Sequence, residues 1–221
     1  MTRFFDILFS FIAIIILLPF MIPIMIGLKL TGEHYIFYEQ LRMGKGNRPF
    51  KLLKFATMLK DSPNMKGGIF TEKNDPRILP MGRFLRKTKI NELPQLLNIL
   101  AGQMSIIGYR PIVPEQFALY SPKVKRKLKR IRPGLSGIGS IVFRNEEELL
   151  QQMEDKTAFR NDVIGPYKGE LECWYADHRS LSLYFKLIFL TAEAVIHPDS
   201  RKWKTAFKDL PKPSPELAKY L

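Results

Sequence analysis

The sequence predicts an α+β fold: an N-terminal, proline-broken, re-entrant membrane helix, then a small, mainly helical cytoplasmic domain with a β-hairpin and interfacial helices. Three observations carry this expectation. Ile7 to Leu28 is a run of 22 residues without a charge, and it holds Pro19 and Pro23. Residues 34–41 are rich in aromatics and lead into a turn carrying Gly44, Gly46 and Asn47 with a return segment after it, the signature of a hairpin. Beyond residue 80, apolar side chains recur at helical spacing.

Composition narrows the classes. Of 221 residues 46% are apolar, which excludes a disordered chain. Lys and Arg number 35 against 21 Asp and Glu, a net charge of +14, so the partners expected are polyanions. The single Cys173 excludes an intramolecular disulfide framework and suits a reducing compartment. The chain divides into a membrane segment (1–30), a cytoplasmic domain (31–200) and a basic, proline-containing tail (201–221) that is loosely held.

The apolar run is long enough to cross a bilayer, about 33 Å as a straight helix. Pro19 lacks a backbone N–H and crowds the carbonyl four residues back, and Pro23 repeats the disturbance one turn later, so a bend or break is expected between two short arms. Such a helix enters and leaves through one leaflet, whereas an unbent one would cross. Both paths keep the basic body in the cytoplasm by the positive-inside bias. A signal peptide fits less well, because no small-residue cleavage pattern follows.

After the anchor, His34 to Leu41 reads as a strand, Arg42 to Arg48 as a turn and Pro49 to Met58 as the return segment. Lys60 to Pro80 has no periodicity and reads as a surface loop. A short helix is expected at Met81 to Lys87. Asn91 then sits where an N-cap belongs, with Pro94 in the first turn and Leu93, Leu96, Leu97 and Leu100 as one stripe ending near Gly102. Met104 to Ile107 is a short strand, Pro114 to Arg130 a helix ending at Pro133 and Gly134, and Glu146 to Phe159 an acidic helix. Leu181 to Ile196 is an apolar helix that either meets the membrane or fills the core.

Two regions suit chemistry. Lys123 to Arg132 carries seven basic residues in ten, suited to an anionic leaflet at about 1 kcal/mol per charge. Nucleic acid is not expected, because no aromatic side chains interleave with that patch. The second region runs from Arg86 through Asn91 and Glu92 to Gly108 and Arg110. A helix start offers N–H groups to a phosphate, Arg86 and Arg110 add forked donors, Lys54 adds a point charge, and Glu92 is a carboxylate for a divalent metal.

Five motifs in order, KFATM (Lys54–Met58), NDPRI (Asn74–Ile78), FLRKTKINELPQLLNIL (Phe84–Leu100), GQMSIIGYRP (Gly102–Pro111) and RPGLSG (Arg132–Gly137), resemble the bacterial sugar transferase family. These are monotopic phosphoglycosyl transferases that start glycoconjugate assembly. The resemblance implies a UDP-sugar donor, a polyprenyl (undecaprenyl) phosphate acceptor, UMP release and Mg2+ assistance, at the cytoplasmic face of a bacterial inner membrane on the way to polysaccharide. Self-association is left open. It also implies roles: Asn91 and Glu92 at the catalytic and metal-binding pair, and Lys54, Arg86, Arg110 and Pro111 around the phosphates. Two positions depart from the family pattern. Tyr109 stands where the turn usually has proline, and Asn91 stands where the family has its nucleophilic Asp. A carboxamide keeps the shape but lacks the charge of a nucleophilic carboxylate. An engineered substitution, a natural branch with another route and a catalytically silent homologue that binds UDP-sugar or acts as a membrane scaffold all remain open at this point.

Overall fold

A computed structural model describes residues 2–65 and 75–221. Met1 and residues 66–74, with the centre of the expected Lys60–Pro80 loop and Asn74 of the NDPRI motif, lie outside the described residues. The fold is mixed and mostly helical, with a long apolar N-terminal helix. The chain forms two compact units interleaved in sequence: Asp6–Gln40 with Lys51–Ala101, and Met1–Phe5 with Leu41–Phe50 and Gly102–Leu221.

Helix α1 (Thr2–Leu30) is continuous. Pro19 and Pro23 lie inside it, so the expected division into two arms does not occur as a loss of helicity; each proline leaves the carbonyl four residues back without its helical partner. Its most apolar 18-residue window has a mean hydropathy of 2.8 and is only 11% buried. What is buried lies on one stripe. Met21 and Leu28, with Leu17, Ile24 and Met25, pack against Phe55, Leu85, Ile36, Met81, Ile90 and Leu93.

The hairpin forms as expected from β1 (Phe37–Met43) and β2 (Pro49–Phe55). Its turn carries Gly46 at φ +78° and Asn47 at φ +57°, the left-handed conformation these residue types tolerate. Asn98 on α3 (Gln95–Leu100) fastens β2 by accepting from Leu53 N–H at 2.9 Å and donating to the Lys51 carbonyl at 2.8 Å. Helix α2 (Pro80–Lys87) starts on a proline, matching the expected Met81–Lys87. The base of the preceding loop is structured: Arg77 and Asp75 form a buried ion pair at 2.6 Å, and Arg77 Nη1 donates to the Ser62 carbonyl at 2.7 Å.

The other unit centres on a parallel pair, β3 (Ser105–Ile107) and β4 (Gly134–Ser136). Strand β3 lies where the sequence predicts it, whereas Gly134, expected to stop a helix, lies in β4. Gly134 serves close approach instead, since a Cβ there would lie 2.1 Å from Gly108 N. The expected helix over Pro114–Arg130 is two helices, α4 (Pro114–Ala118) and α5 (Pro122–Leu128). Pro122 disfavours a helical Ser121, whose ψ is 155° and whose hydroxyl caps Val124 N–H. The basic run therefore extends beyond α5 into a non-helical segment.

Short helices α6 (Ile138–Val142), α7 (Glu146–Gln151) and α8 (Lys156–Ala158) follow. The acidic helix expected to reach Phe159 stops at Gln151. Helix α9 (Gly165–His178) is absent from the sequence reading, which is deflected by Gly165, Pro166 and Gly169. Helix α10 (Leu181–Ile196) matches its expected bounds and fills part of the core. Leu183, Tyr184 and Leu187 are core, and Phe189, Val195 and Ile196 are exposed. The tail, expected to be loose, is held. It forms α11 (Lys202–Ala206) and α12 (Pro215–Ala218), Trp174 Nε1 donates to Asp209 at 3.0 Å, Tyr167 donates to the Pro211 carbonyl at 2.8 Å, and Leu217 is buried.

Candidate active site

Four of the candidate residues belong to one unit, and the same core carries all of them. Lys54 precedes Phe55, Arg86 follows Leu85, and Asn91 and Glu92 lie between Ile90 and Leu93. These four apolar neighbours are the side chains that pack against α1. The polar groups are thus mounted on the apolar helix through their sequence neighbours.

Asn91 is not the expected N-cap. Residues Ile90–Glu92 form a 3-10 turn entered through Lys89 at φ +61°, and α3 begins only at Gln95. Pro94 has no N–H to complete an α-helical bond, so Leu93 N–H bonds back to Ile90 O at 3.1 Å and Leu96 N–H to Leu93 O at 3.0 Å, three residues each. With six residues, α3 is too short for the anion-binding helix start foreseen from sequence. The Asn91 side chain turns inward instead. It is 6% exposed, and among the described residues its buried Oδ1 has no hydrogen-bond partner. An unpaired buried amide oxygen costs about 1–3 kcal/mol, so the fold places an acceptor here at the expense of stability.

Glu92 Oε1 lies 3.9 Å from Lys54 Nζ, with both side chains mostly buried. The Arg86 guanidinium approaches Met58 Sδ at 3.6 Å, next to the bridge between Met58 and Ile78. The oxygens of Asn91 and Glu92 are hard donors of the kind Mg2+ takes together with substrate phosphates, so the residues present fit such an ion, although one carboxylate stands where the family pattern has two. No cluster of three or more His, Cys, Asp or Glu able to hold a metal by itself occurs among the described residues.

Arg110 and Pro111 belong to the other unit, directly after β3. Their turn is held by residues the sequence reading missed. Arg110 N–H points to Glu172 Oε1 at 3.5 Å, Arg42 Nη1 donates to the Pro111 carbonyl at 3.2 Å, and Met43 N–H donates to the Ile112 carbonyl at 2.9 Å. Glu172 is 4% exposed, and burial pushes its carboxyl up to about 8, against smaller lowering effects from the Arg110 N–H and Lys168. Its signal in the sequence is a lone carboxylate inside the apolar run Leu171–Tyr175. Tyr109 is buried in the core and donates to the Met43 carbonyl at 3.2 Å. At this position the usual proline is replaced by a core side chain, and the Arg110 guanidinium remains exposed.

Comparison with known proteins decides the family. The model of the bacterial sugar transferase family matches residues 1–198. The chain belongs to that family. A relative within it, the exopolysaccharide production protein ExoY of Sinorhizobium fredii, is 37% identical over 207 residues, covering 87% of this chain and 84% of its own. A UDP-glucose:undecaprenyl-phosphate glucose-1-phosphate transferase of Klebsiella pneumoniae is 32% identical over 84% of this chain and 38% of its own length. An undecaprenyl-phosphate galactose phosphotransferase of Salmonella typhimurium is 31% identical over 90% of this chain and 41% of its own. Several family members are thus longer proteins of which this chain matches a part.

Proposed function

We propose that the chain is a membrane phosphoglycosyl transferase that moves a sugar-1-phosphate from a UDP-sugar to undecaprenyl phosphate and releases UMP, facing the cytoplasm at the bacterial inner membrane. The observation that carries this reading is the shared core: the residues flanking Lys54, Arg86, Asn91 and Glu92 pack on α1. A soluble dianion and a lipid anion meet only at the headgroup plane, and a site fastened to a membrane-inserted helix is held there. The named activities of the relatives support the same chemistry.

In this mechanism Lys54 and Arg86 bind the donor's diphosphate. Asn91 and Glu92 would hold Mg2+, whose chemistry is to neutralise charge on that diphosphate. Asn91 is an amide and does not attack as a carboxylate does. A phosphate oxygen of the lipid carrier therefore attacks the sugar-bearing phosphorus directly; one P–O bond forms to the lipid phosphate and the P–O bond to UMP breaks. Arg86 and Lys54 stabilise the charge that collects on the departing UMP. Direct attack predicts no phosphosugar adduct on protein incubated with UDP-glucose alone, and UMP release only when undecaprenyl phosphate is added. An adduct on the unaltered chain, found by intact-protein mass spectrometry, would contradict it.

A second reading is favoured by Asn91 itself. Without the family's nucleophile the chain binds UDP-sugar without turning it over, as a silent homologue or membrane scaffold. Calorimetry showing UDP-glucose binding, together with no UMP release under any donor and acceptor, would select this reading.

A further inference from the structure

The basic run from Lys123 to Arg132 has no part in the mechanism above, and the structure divides its seven cations into two sets. Three are engaged within the fold: Lys127 pairs with Asp177 on α9, Lys125 Nζ donates to the Ala118 carbonyl at 2.7 Å, and Arg132 Nε donates to the Gly102 carbonyl at 2.8 Å. The other four, Lys123, Arg126, Lys129 and Arg130, are exposed, and none of them forms an ion pair with a carboxylate among the described residues. Val124, Leu128 and Ile131 are buried beneath them, so the segment turns one apolar side to the core and these cations outward.

Two more cations join them from far along the chain. The hairpin turn is fastened to α5 and the residue after it: Gly46 N–H donates to the Lys129 carbonyl at 3.0 Å, and Asn47 Nδ2 donates to the Lys125 carbonyl at 3.2 Å. Lys45 and Arg48, which flank these two anchors, are exposed as well. Neither segment contains an acidic residue. Like charges at helical spacing, such as Lys123 and Arg126, repel, so this surface gains by meeting negative charge from outside the chain.

The position of the run selects the partner. Arg132, its last cation, holds the Gly102 carbonyl, and a Cβ on Gly102 would lie 3.5 Å from Arg3 Nη2. Arg3 is in the first turn of α1, about 6 Å along the helix before Ile7, where the uncharged run begins. The basic segment therefore ends beside the start of the apolar helix. Single-stranded nucleic acid fits less well, because no aromatic side chain lies between Lys123 and Arg132 for a base to stack on.

We propose that Lys123, Arg126, Lys129 and Arg130, with Lys45 and Arg48 of the hairpin turn, form an electrostatic contact surface for the anionic lipid headgroups of the leaflet that holds α1. The occupant is the lipid surface itself, held by charge rather than by a shaped pocket, while Lys125, Lys127 and Arg132 keep the segment in place. The contact depends on leaflet charge and on salt. It takes from the proposed function only the placement of α1 in the membrane.

The test reconstitutes the full chain in nanodiscs of phosphatidylcholine alone and of phosphatidylcholine with phosphatidylglycerol. Peptide mass spectrometry then measures how fast an uncharged acylating reagent modifies each lysine, and no substitution is needed. The expected result is that Lys45, Lys123 and Lys129 react at least about threefold more slowly in the anionic discs, and that about 1 M salt, with a Debye length of about 3 Å, abolishes the difference. Lys212, exposed on the tail, should react equally in both discs.

Equal rates for the three basic-surface lysines in both discs overturn the proposal. Slowing shared equally by Lys212 also overturns it, as a general effect of the charged disc. Slowing by RNA added to neutral discs, with none from anionic lipid, assigns the surface to nucleic acid instead. Absent UMP release in discs that protect the three lysines sinks the transferase reading and leaves the surface standing, whereas normal release with equal acylation rates does the reverse.

Discussion

Lys54 on β2 and Glu92 in the 3-10 turn face each other across 3.9 Å, with 19% and 22% of their side chains exposed. The separation is longer than a charge-assisted hydrogen bond, so each group is drawn to the other without being closed off by it. This arrangement suits an exchange in which the lysine turns to a phosphate and the carboxylate to a cation. Glu92→Gln and Lys54→Met are each expected to lower kcat/KM for UMP release by about a hundredfold, the scale of losing one group that stabilises transition-state charge. Steady-state kinetics at fixed Mg2+ check this, and unchanged kinetics in either variant would remove that residue from the site.

Gly82 on α2 lies against the backbone of Thr57. A Cβ there would sit 2.1 Å from the Thr57 carbonyl oxygen, which also accepts from Leu79 N–H at 3.0 Å. Backbone cannot swing aside as a side chain does, so Gly82→Ala should cost about 1–3 kcal/mol or more. Thermal unfolding in detergent reads this as a lower Tm, with Arg86 and its turn among the parts displaced.

Burial raises the Glu172 carboxyl from 4.5 to about 8. The folded protein thus keeps a proton across a range where the unfolded chain has lost it. Its contribution to stability is fullest at pH 4.5 and below and declines as pH rises toward 8, at about 1.4 kcal/mol per unit if no other group compensates. Glu172→Gln, which mimics the protonated acid, should remove this slope. The check is chemical denaturation at pH 6 and pH 9, where the unaltered chain loses stability relative to the variant.

The re-entrant path expected from the sequence for α1 makes a topological prediction. A thiol at Thr2→Cys, in a Cys173→Ser background, should resist a membrane-impermeant maleimide applied outside intact cells and react after permeabilisation. Reaction in intact cells would show a crossing helix. Cys173 itself is buried, and burial is the main cause that raises its thiol, so background reaction should be small.

Much of the fold is legible in the sequence because local signals agree with tertiary ones. The hairpin announces itself through Gly46 and Asn47, α10 through an uninterrupted apolar face, and α2 through Pro80. Other elements are set by distant contacts. The 3-10 turn at Asn91 follows from Pro94, whose missing N–H can be read in sequence, but the inward course of the Asn91 amide depends on the core behind it. Helix α9 hides behind Gly165, Pro166 and Gly169, residues that usually stop helices. Gly169 is tolerated because a Cβ there would meet Val124 Cγ2 at 3.3 Å, a contact invisible along the chain. Among the candidate residues, those in motifs can be found from sequence, whereas Glu172 and Arg42 act on the Arg110 turn from far away in the chain and carry no motif.

The most direct measurement is UMP release from UDP-sugars by the purified chain with Mg2+ and undecaprenyl phosphate, run beside Asn91→Asp. The account predicts lipid-dependent UMP release by the unaltered chain, and faster release by Asn91→Asp with a phosphosugar adduct at the substituted side chain when donor is supplied alone. No release from either protein, across a broad panel of UDP-sugars, would contradict it.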